Sequence, residues 1–432
     1  MTYEQAINRI AGRKPLGMNF GLDRVKRALA LLGHPERSLR VIHIAGTNGK
    51  GSTAAMIAAM LTAAGYRTGL YTSPALADVR DTITVDGTPI SGEMFASLTG
   101  EIDALSEEMQ AVGPLTEFEF VTVLTLLWFA RERTDLCVVE CGLGGDTDAT
   151  NVFDAPLATV FTPISLDHTD WLGSTVADIA RRKSGIMKPG AAVICAPDQS
   201  EAALGVLFEQ AAALGLTVRM PNRAAATVAE QKPNRLAFFI GDKEYTLSVN
   251  GSFQVSNALT ALETVDAVAA QGFSVSNEAR RAGLSALRLP CRQEWLDADP
   301  PILLDGAHNP HGVAVLADTI PQLCGDRAPV LLTGMLRDKD VAAVADLLRP
   351  LVREVFCCTP DNSRALSAAE LAKHYRPLPV TVTDPPSAAF DAAWQRARSF
   401  GCPLVVGGSF YVSGAVRAQA LEKLTHSGTE KG

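Results

Sequence analysis

Val41-Ile42-His43-Ile44-Ala45-Gly46-Thr47-Asn48-Gly49-Lys50-Gly51-Ser52-Thr53 passes from an apolar, strand-like run into a glycine-rich turn carrying one lysine and two hydroxyls. A helical pattern starts at once with Ala54 and stops at Gly65. Strand, glycine turn and helix in that order form the context in which backbone amides cradle a phosphate. Lys50 supplies a point charge there, and Ser52 or Thr53 can reach a magnesium ion. The strict phosphate-loop pattern is met imperfectly. With Gly49-Lys50 as its Gly-Lys pair, its first glycine falls on Ile44 and its hydroxyl on Gly51, so the hydroxyl comes one place late. An ordinary turn has no use for an unpaired lysine after a buried strand, so a nucleotide-binding loop is expected at 47–53.

The 432-residue chain is long enough for two or three domains with sizeable cores, and 47% hydrophobic with 20% charged residues describes a globular protein. A net charge of -8 and a pI near 5.5 argue against nucleic acid as the main partner. No apolar stretch approaches the roughly 20 residues of a membrane span. Residues 1–14 lack the apolar block of a signal peptide and read as a short amphipathic helix. Eight cysteines show no Cys-x-x-Cys pair and read as buried thiols of a reducing compartment. The expected form is a cytoplasmic monomer acting on small molecules.

Working outward, 22–32 is helical, 67–71 is a short strand ending at Thr72-Ser73-Pro74, and 91–111 and 117–133 carry helical periodicity. Ser73 lies at the C-terminal end of its strand, where open α/β sheets collect ligands, and is a candidate magnesium ligand. Leu136-Cys137-Val138-Val139 is a buried-strand run that delivers Glu140 in front of Cys141-Gly142-Leu143-Gly144-Gly145, a setting that suits a second magnesium ligand. A strand at 157–162 precedes Asp167-His168, in which the carboxylate could orient the imidazole toward a metal. A helix follows at 179–188 with Lys183 inside it, then a strand at 193–195. The repeated βα order from 41 to about 215 implies an α/β fold with a mainly parallel, doubly wound sheet. Between 217 and 249 short alternating runs read as a small antiparallel annex of this N-terminal domain. Leu289-Pro290-Cys291-Arg292 breaks the pattern, and a second βα series follows. The expected division is therefore 1–290, the nucleotide-binding domain, and 291–432, a smaller C-terminal α/β domain, with a polar tail from His426 onward.

The loop Ala45-Gly46-Thr47-Asn48-Gly49-Lys50-Gly51-Ser52-Thr53 closely resembles the ATP loop of the folylpolyglutamate synthase/dihydrofolate synthase family, within the muramyl-ligase superfamily. The resemblance continues at Ser73-Pro74, Phe118-Glu119, Glu140-Cys141-Gly142-Leu143-Gly144-Gly145, Asp148-Ala149-Thr150-Asn151, Asp167-His168, Lys183, Asn257-Ala258, Asp305-Gly306-Ala307-His308-Asn309-Pro310 and Asp338-Lys339-Asp340. It implies ATP-driven joining of an acid to the amine of glutamate through an acyl phosphate. It assigns Thr47, Asn48, Gly49, Lys50, Gly51, Ser52, Thr53, Asn257, Arg292 and Asp305 to ATP, and Phe118, Glu119, Thr147, Asp148 and Ala149 to the acid. Two magnesium ions are implied, one on Ser73 and Glu140, the other on His168 with a carbamylated Lys183. Lys50, Lys183 and His308 take the catalytic roles, and the cleft between the two domains is expected to close around ATP. The implied partners are a folate-type acid and L-glutamate, with no nucleic acid and no membrane.

Three positions depart from the family's pattern: Ala75 stands where a histidine is usual, Asp146 where an arginine is usual, and Arg182 where a glutamate is usual. Asp146 is expected to disfavour an anionic acid and to shift preference toward dihydropteroate. The same chemistry on a non-folate acid is the alternative. A phosphate-loop nucleotide sensor is a second, but no Asn-Lys-x-Asp segment is present to read guanine.

Overall fold

The computed structural model describes residues 1–17 and 20–426, so the polar tail beyond His426 lies outside the described residues. The chain divides into two compact units, Met1–Ala225 with Val255–Ala286, and Ala226–Gln254 with Leu287–Gly432. No described helix is long and apolar enough to cross a membrane.

The first unit is built on strands β1 (Val41–Ala45), β2 (Thr68–Tyr71), β3 (Ile83–Val85), β4 (Thr88–Pro89), β5 (Leu136–Glu140), β6 (Ala158–Phe161), β7 (Ala192–Cys195) and β8 (Val218–Arg219). They form one sheet in the order β4-β3-β2-β5-β1-β6-β7-β8, parallel except for β3 and β4 at one edge. Side chains alternate between faces along each strand. One face carries Val41, Tyr71, Cys137 and Val139 against Leu29, Phe95, Phe120 and Phe129, and further along carries Phe161, Val193 and Cys195 against Ile179 and Leu207. The opposite face, with Ile42, Ile44 and Val138 fully buried, receives the helix Lys50–Ala63, on which the helix Asn277–Ala286 lies. Helices on both faces are what "doubly wound" requires, and the expected α/β architecture is what forms.

Local signals explain most element ends. Thr116 and Glu119 form a capping box at the start of Glu117–Arg131, and Thr175 with Asp178 forms another that starts Val176–Ser184 earlier than the apolar pattern alone suggests. The expected helix at 91–111 is shorter, Gly92–Asp103 followed by one tight turn. Its last acid, unfavourable at a helix C-terminus, is held by Arg9 and Arg13 at 2.8 and 2.6 Å.

The second unit carries β9 (Ala226–Lys232), β10 (Arg235–Ile240) and β11 (Lys243–Leu247) as an antiparallel three-stranded sheet. Its other sheet comprises β12 (Glu294–Leu296), β13 (Ile302–Leu304), β14 (Val330–Thr333), β15 (Glu354–Cys357), β16 (Val380–Val382) and β17 (Leu404–Gly407). Their order is β12-β13-β17-β14-β15-β16, parallel apart from the edge strand β12. The annex therefore groups with the C-terminal residues rather than with the N-terminal domain, which differs from a single cut at 290. Hydrogen bonds give the reason: Asn250 donates to the Gln293 carbonyl at 2.7 Å and Asn234 to the Trp295 carbonyl at 2.9 Å. Thr217–249 was also not uniform, because β8 joins the large sheet beside β7 and only the runs from Ala226 onward form the annex.

Arg24 meets Glu119 in a buried ion pair, with Nη2 2.7 Å from Oε1 and Nε 3.0 Å from Oε2. Removing one partner of such a pair strands a charge. Arg24→Ala is expected to lower stability by about 3–5 kcal/mol, read as a fall in the urea midpoint; an unchanged midpoint would show that the pair is immaterial.

Candidate functional site

The C-terminal ends of β1, β2 and β5 lie side by side, because Ile44 is in register with Glu140 and Tyr71 with Val139. The turn after β1 therefore emerges next to the carboxylate that ends β5. Gly49 adopts φ 84°, the left-handed region glycine favours, and caps the helix Lys50–Ala63; a Cβ there would stand 2.6 Å from Asn257 Oδ1. Asn257, distant in sequence, is thereby placed on the loop. Gly46 is equally constrained, since a Cβ would collide with Thr162. The amides of Thr47 and Asn48 both donate to the Pro163 carbonyl, and Thr47 Oγ1 donates to the Ser165 carbonyl at 3.0 Å, which braces the loop from the β6 side. The first amides of a 14-residue helix have no acceptor within it and carry the positive end of its dipole. Thr53 Oγ1 and Thr162 Oγ1 are buried and lack a hydrogen-bond partner among the described residues.

Lys50 Nζ stands 3.8 Å from Glu140 Oε1, and the Ser73 amide donates to Glu140 Oε2 at 3.2 Å. Glu140 is only 3% exposed, so its charge depends on these neighbours. Lys183, 5% exposed, donates from Nζ to the Gly46 carbonyl at 2.7 Å. Burial, aided by the charge of Lys50, lowers its pKa to about 7. Thr47, Asn48, Gly49, Lys50, Gly51, Ser52, Thr53, Ser73, Glu140, Lys183 and Asn257 thus form one constellation. His168 sits in the left-handed region with its amide donating to Asp167 Oδ1 at 2.9 Å, while its ring Nε2 is 3.9 Å from the same oxygen. Asp167 thus holds the His168 backbone and stands beside its imidazole.

The loop after β5 is organised from inside. Asp148 accepts from the Leu143 amide at 2.6 Å through Oδ2, and from the Thr150 amide and hydroxyl at 3.0 and 2.6 Å through Oδ1. Burial nevertheless raises its pKa. Asp148 and Glu119, expected to touch the acid, have both carboxylate oxygens engaged within the fold, those of Glu119 by Arg24 and by the Thr116 amide. Ala149 is buried and Thr147 half-buried, its amide donating to Asp146 Oδ1. Phe118 is half-buried, stacks on Tyr71 at 6.2 Å, and occupies the space a Cβ on Gly142 would need. His43, read only as part of an apolar strand, also belongs here. Its Nε2 lies 2.8 Å from Thr150 Oγ1 and 3.1 Å from Cys141 Sγ, and burial drives its pKa down to about 3, so it ties β1 to the loop as a neutral ring. Arg182 Nη1 donates to Asp146 Oδ2 at 2.8 Å, which sets a guanidinium beside the carboxylate expected to disfavour an anionic acid.

Arg292, Asp305 and His308 belong to the second unit and form a separate group there. Asp305 Oδ2 accepts from the Gln293 amide at 2.8 Å and Oδ1 from the Ala307 amide at 2.7 Å, and burial raises its pKa to about 6. Arg292 lies 4.8 Å over the Phe410 ring. His308 Nδ1 is 2.9 Å from the Gly306 carbonyl, which fixes the proton on Nδ1 and leaves Nε2 as the basic nitrogen. Asn309 caps the helix Pro310–Cys324. Gln293 and Phe410 were not foreseen; glycine at 306, where a Cβ would strike the Phe410 ring, was the available hint.

Residues 44–265 match the Mur ligase middle domain, and residues 291–410 match the Mur ligase, glutamate ligase domain. The chain is 35% identical over 379 residues to the dihydrofolate synthase/folylpolyglutamate synthase of Bacillus subtilis (strain 168), covering 85% of this chain and 88% of that one. It is 32% identical over 444 residues to the folylpolyglutamate synthase of Lacticaseibacillus casei, covering 98% and 99%. Among solved structures, Mycobacterium tuberculosis folylpolyglutamate synthase complexed with ADP and AMPPCP matches with a TM-score of 0.87 at 31% identity, covering 97% of this chain and 99% of that chain. E. coli FolC in complex with DHPP and ADP matches with a TM-score of 0.84 at 30% identity, covering 97% and 98%.

Titration calorimetry with ADP separates the two charged groups at the loop. Lys50→Ala is expected to weaken ADP by roughly tenfold to a hundredfold with or without magnesium, the worth of a charge-assisted hydrogen bond. Glu140→Gln is expected to lose only the magnesium-dependent part of the affinity. Unchanged affinity in both variants would place the nucleotide elsewhere.

Proposed function

The chain belongs to the folylpolyglutamate synthase/dihydrofolate synthase family of Mur ligases, and from that premise we propose how its residues carry the chemistry. The protein is an ATP-dependent ligase that joins glutamate to a folate-type carboxylate. The observation that supports the assignment of roles is the meeting of Lys50, Glu140, the Ser73 amide and Lys183 at the ends of β1, β2 and β5.

A carboxylate is a poor acyl donor. Transfer of the ATP γ-phosphoryl group to its oxygen releases ADP and gives an acyl phosphate. The glutamate amine then attacks the acyl carbon, the C–O bond to phosphate breaks, and a proton leaves the nitrogen. Little covalent work falls to the protein, whose task is charge compensation and alignment. The amides that open the helix Lys50–Ala63 and the Lys50 ammonium hold the β- and γ-phosphates. Asn257, packed on Gly49, and the braced Thr47-Asn48 turn fix the loop that presents those amides. Phe118 and the 143–150 loop border the acid, with Asp148, Glu119 and His43 holding them in place.

Magnesium, when bound, neutralises charge on the transferring phosphate. The donor set fits it, because this ion takes one or two carboxylates and completes its shell with phosphate oxygens and water. Ser73 and Glu140 would hold one ion, and His168 with carbamylated Lys183 a second. The buried, partnerless Thr53 hydroxyl is a further oxygen donor for the phosphate region. Carbamate forms from the unprotonated amine, and a lysine held near 7 supplies that species at neutral pH. In the second unit, Arg292 and His308 are assigned to ATP and to catalysis through their motif, with Asp305 holding the turn that presents them. The acid is dihydropteroate, a folyl-glutamate or both, since Arg182 removes the charge reason for excluding either.

With purified protein, ATP, magnesium and glutamate, ADP release is expected to require dihydropteroate or tetrahydrofolate and to stay at background with unrelated acids; the reverse pattern would reject the folate reading. Lys183→Ala is expected to abolish this turnover, with partial recovery in added formate or acetate. Labelled bicarbonate should give a carbamate carbon signal in the native protein only. Full activity with an unmodified lysine would refute the modification.

A further inference from the structure

Two of the three departures noted in the sequence, Asp146 and Arg182, are a single feature in space. Arg182 Nη1 donates to Asp146 Oδ2 at 2.8 Å across 36 residues of sequence. Beneath that pair the backbones are locked: the Asp146 amide donates to the Arg182 carbonyl at 2.8 Å. Asn151 Nδ2 donates to the carbonyls of Asp146 and Gly185 at 3.0 and 3.2 Å. The approach is so close that a Cβ on Gly145 would lie 2.6 Å from the Lys183 carbonyl oxygen, and one on Gly185 would lie 2.5 Å from Asp146 Cβ. Lys183, next in the chain after Arg182, reaches the Gly46 carbonyl ahead of the phosphate loop. A continuous path therefore runs from the loop after β5, through the 182–185 turn, to the start of the nucleotide loop.

Arg182 is exposed and Asp146 half-buried, and an ion pair in that setting adds little to global stability. Its effect is local. We propose that Asp146 and Arg182 are a positioning pair that holds the 143–151 loop at a fixed spacing from Lys183, and so aligns the acid with the phosphate it receives. The spacing demands opposite charges, and either polarity supplies them. Two like charges at hydrogen-bond distance would push the loop off the turn, whereas exchanging the two residues would restore the attraction. The proposal rests on the ligase reading for its kinetic consequence, but not for its structural one.

The test compares Asp146→Arg, Arg182→Glu and the double exchange in the full-length chain. Hydrogen–deuterium exchange reads the protected amides of Leu143, Asp146 and Thr150 without any turnover. Each single reversal is expected to speed exchange across 143–151 by about tenfold, with the double variant returning close to the native rate. In kinetics, each single reversal is expected to lower kcat/KM for the acid by about tenfold or more, with KM for ATP within about twofold, and the double exchange to recover to within about threefold. Unchanged exchange in the singles, a double variant as fast as either single, or an equal rise in KM for ATP would each overturn the proposal. Should a reversal prevent folding, Arg182→Gln removes the attraction without adding repulsion and should speed exchange by about threefold; a native rate there would also overturn it. A protein inactive on every acid, with the exchange pattern as expected, would count against the ligase reading alone.

Discussion

Ile44 lies opposite Glu140 in the β1–β5 ladder, and that one register decides where the charges of the first unit can be placed. In a parallel sheet all strand ends on one edge point the same way, so whatever follows β1, β2 and β5 must share a common space. Gly46, Ser73 and Glu140 are the residues at those ends. A shift of β5 by one residue would turn Glu140 to the opposite face of the sheet, away from Lys50, and leave a carboxylate among the apolar side chains there. The apolar packing on the two faces, which fixes the register, is therefore what makes a buried acid at 3% exposure sustainable.

This explains which parts of the site were legible in the sequence. The glycine turn between β1 and the helix Lys50–Ala63 and the Glu140 strand end are local patterns, a run of apolar residues followed by glycines, and both elements form at the expected positions. Asn257 and Arg182 act over distances of 208 and 36 residues respectively, if counted from Gly49 and Asp146, and only their motif or their oddity marked them. Glu119 and Asp148 have a further part that the sequence did not reveal. The resemblance assigned both to the acid, and within the fold each also holds amides or a guanidinium. Composition cannot distinguish an acid that faces a substrate from one that faces its own backbone. β8 escaped because two residues are too few to show any alternation.

The second unit uses the same device as the 143–150 loop. Asp305 gathers two amides from Gln293 and Ala307, as Asp148 gathers those of Leu143 and Thr150. In both cases burial opposes the charge while the amides favour it. A short loop needs such an anchor to keep one shape.

The interleaving of the two units has a consequence for synthesis. The ribosome delivers β1 and the phosphate loop early, but Asn257 and the helix Asn277–Ala286 that covers the loop's own helix arrive only after the annex strands have emerged. The first unit is thus incomplete until residue 286 has left the exit tunnel, and the apolar side of Lys50–Ala63 waits uncovered through that interval. A chain ended at 290 would contain all of β9, β10 and β11 while lacking the Gln293 and Trp295 carbonyls that Asn250 and Asn234 bond. Such a fragment would release a folded nucleotide unit still carrying an orphaned sheet, a ready template for aggregation.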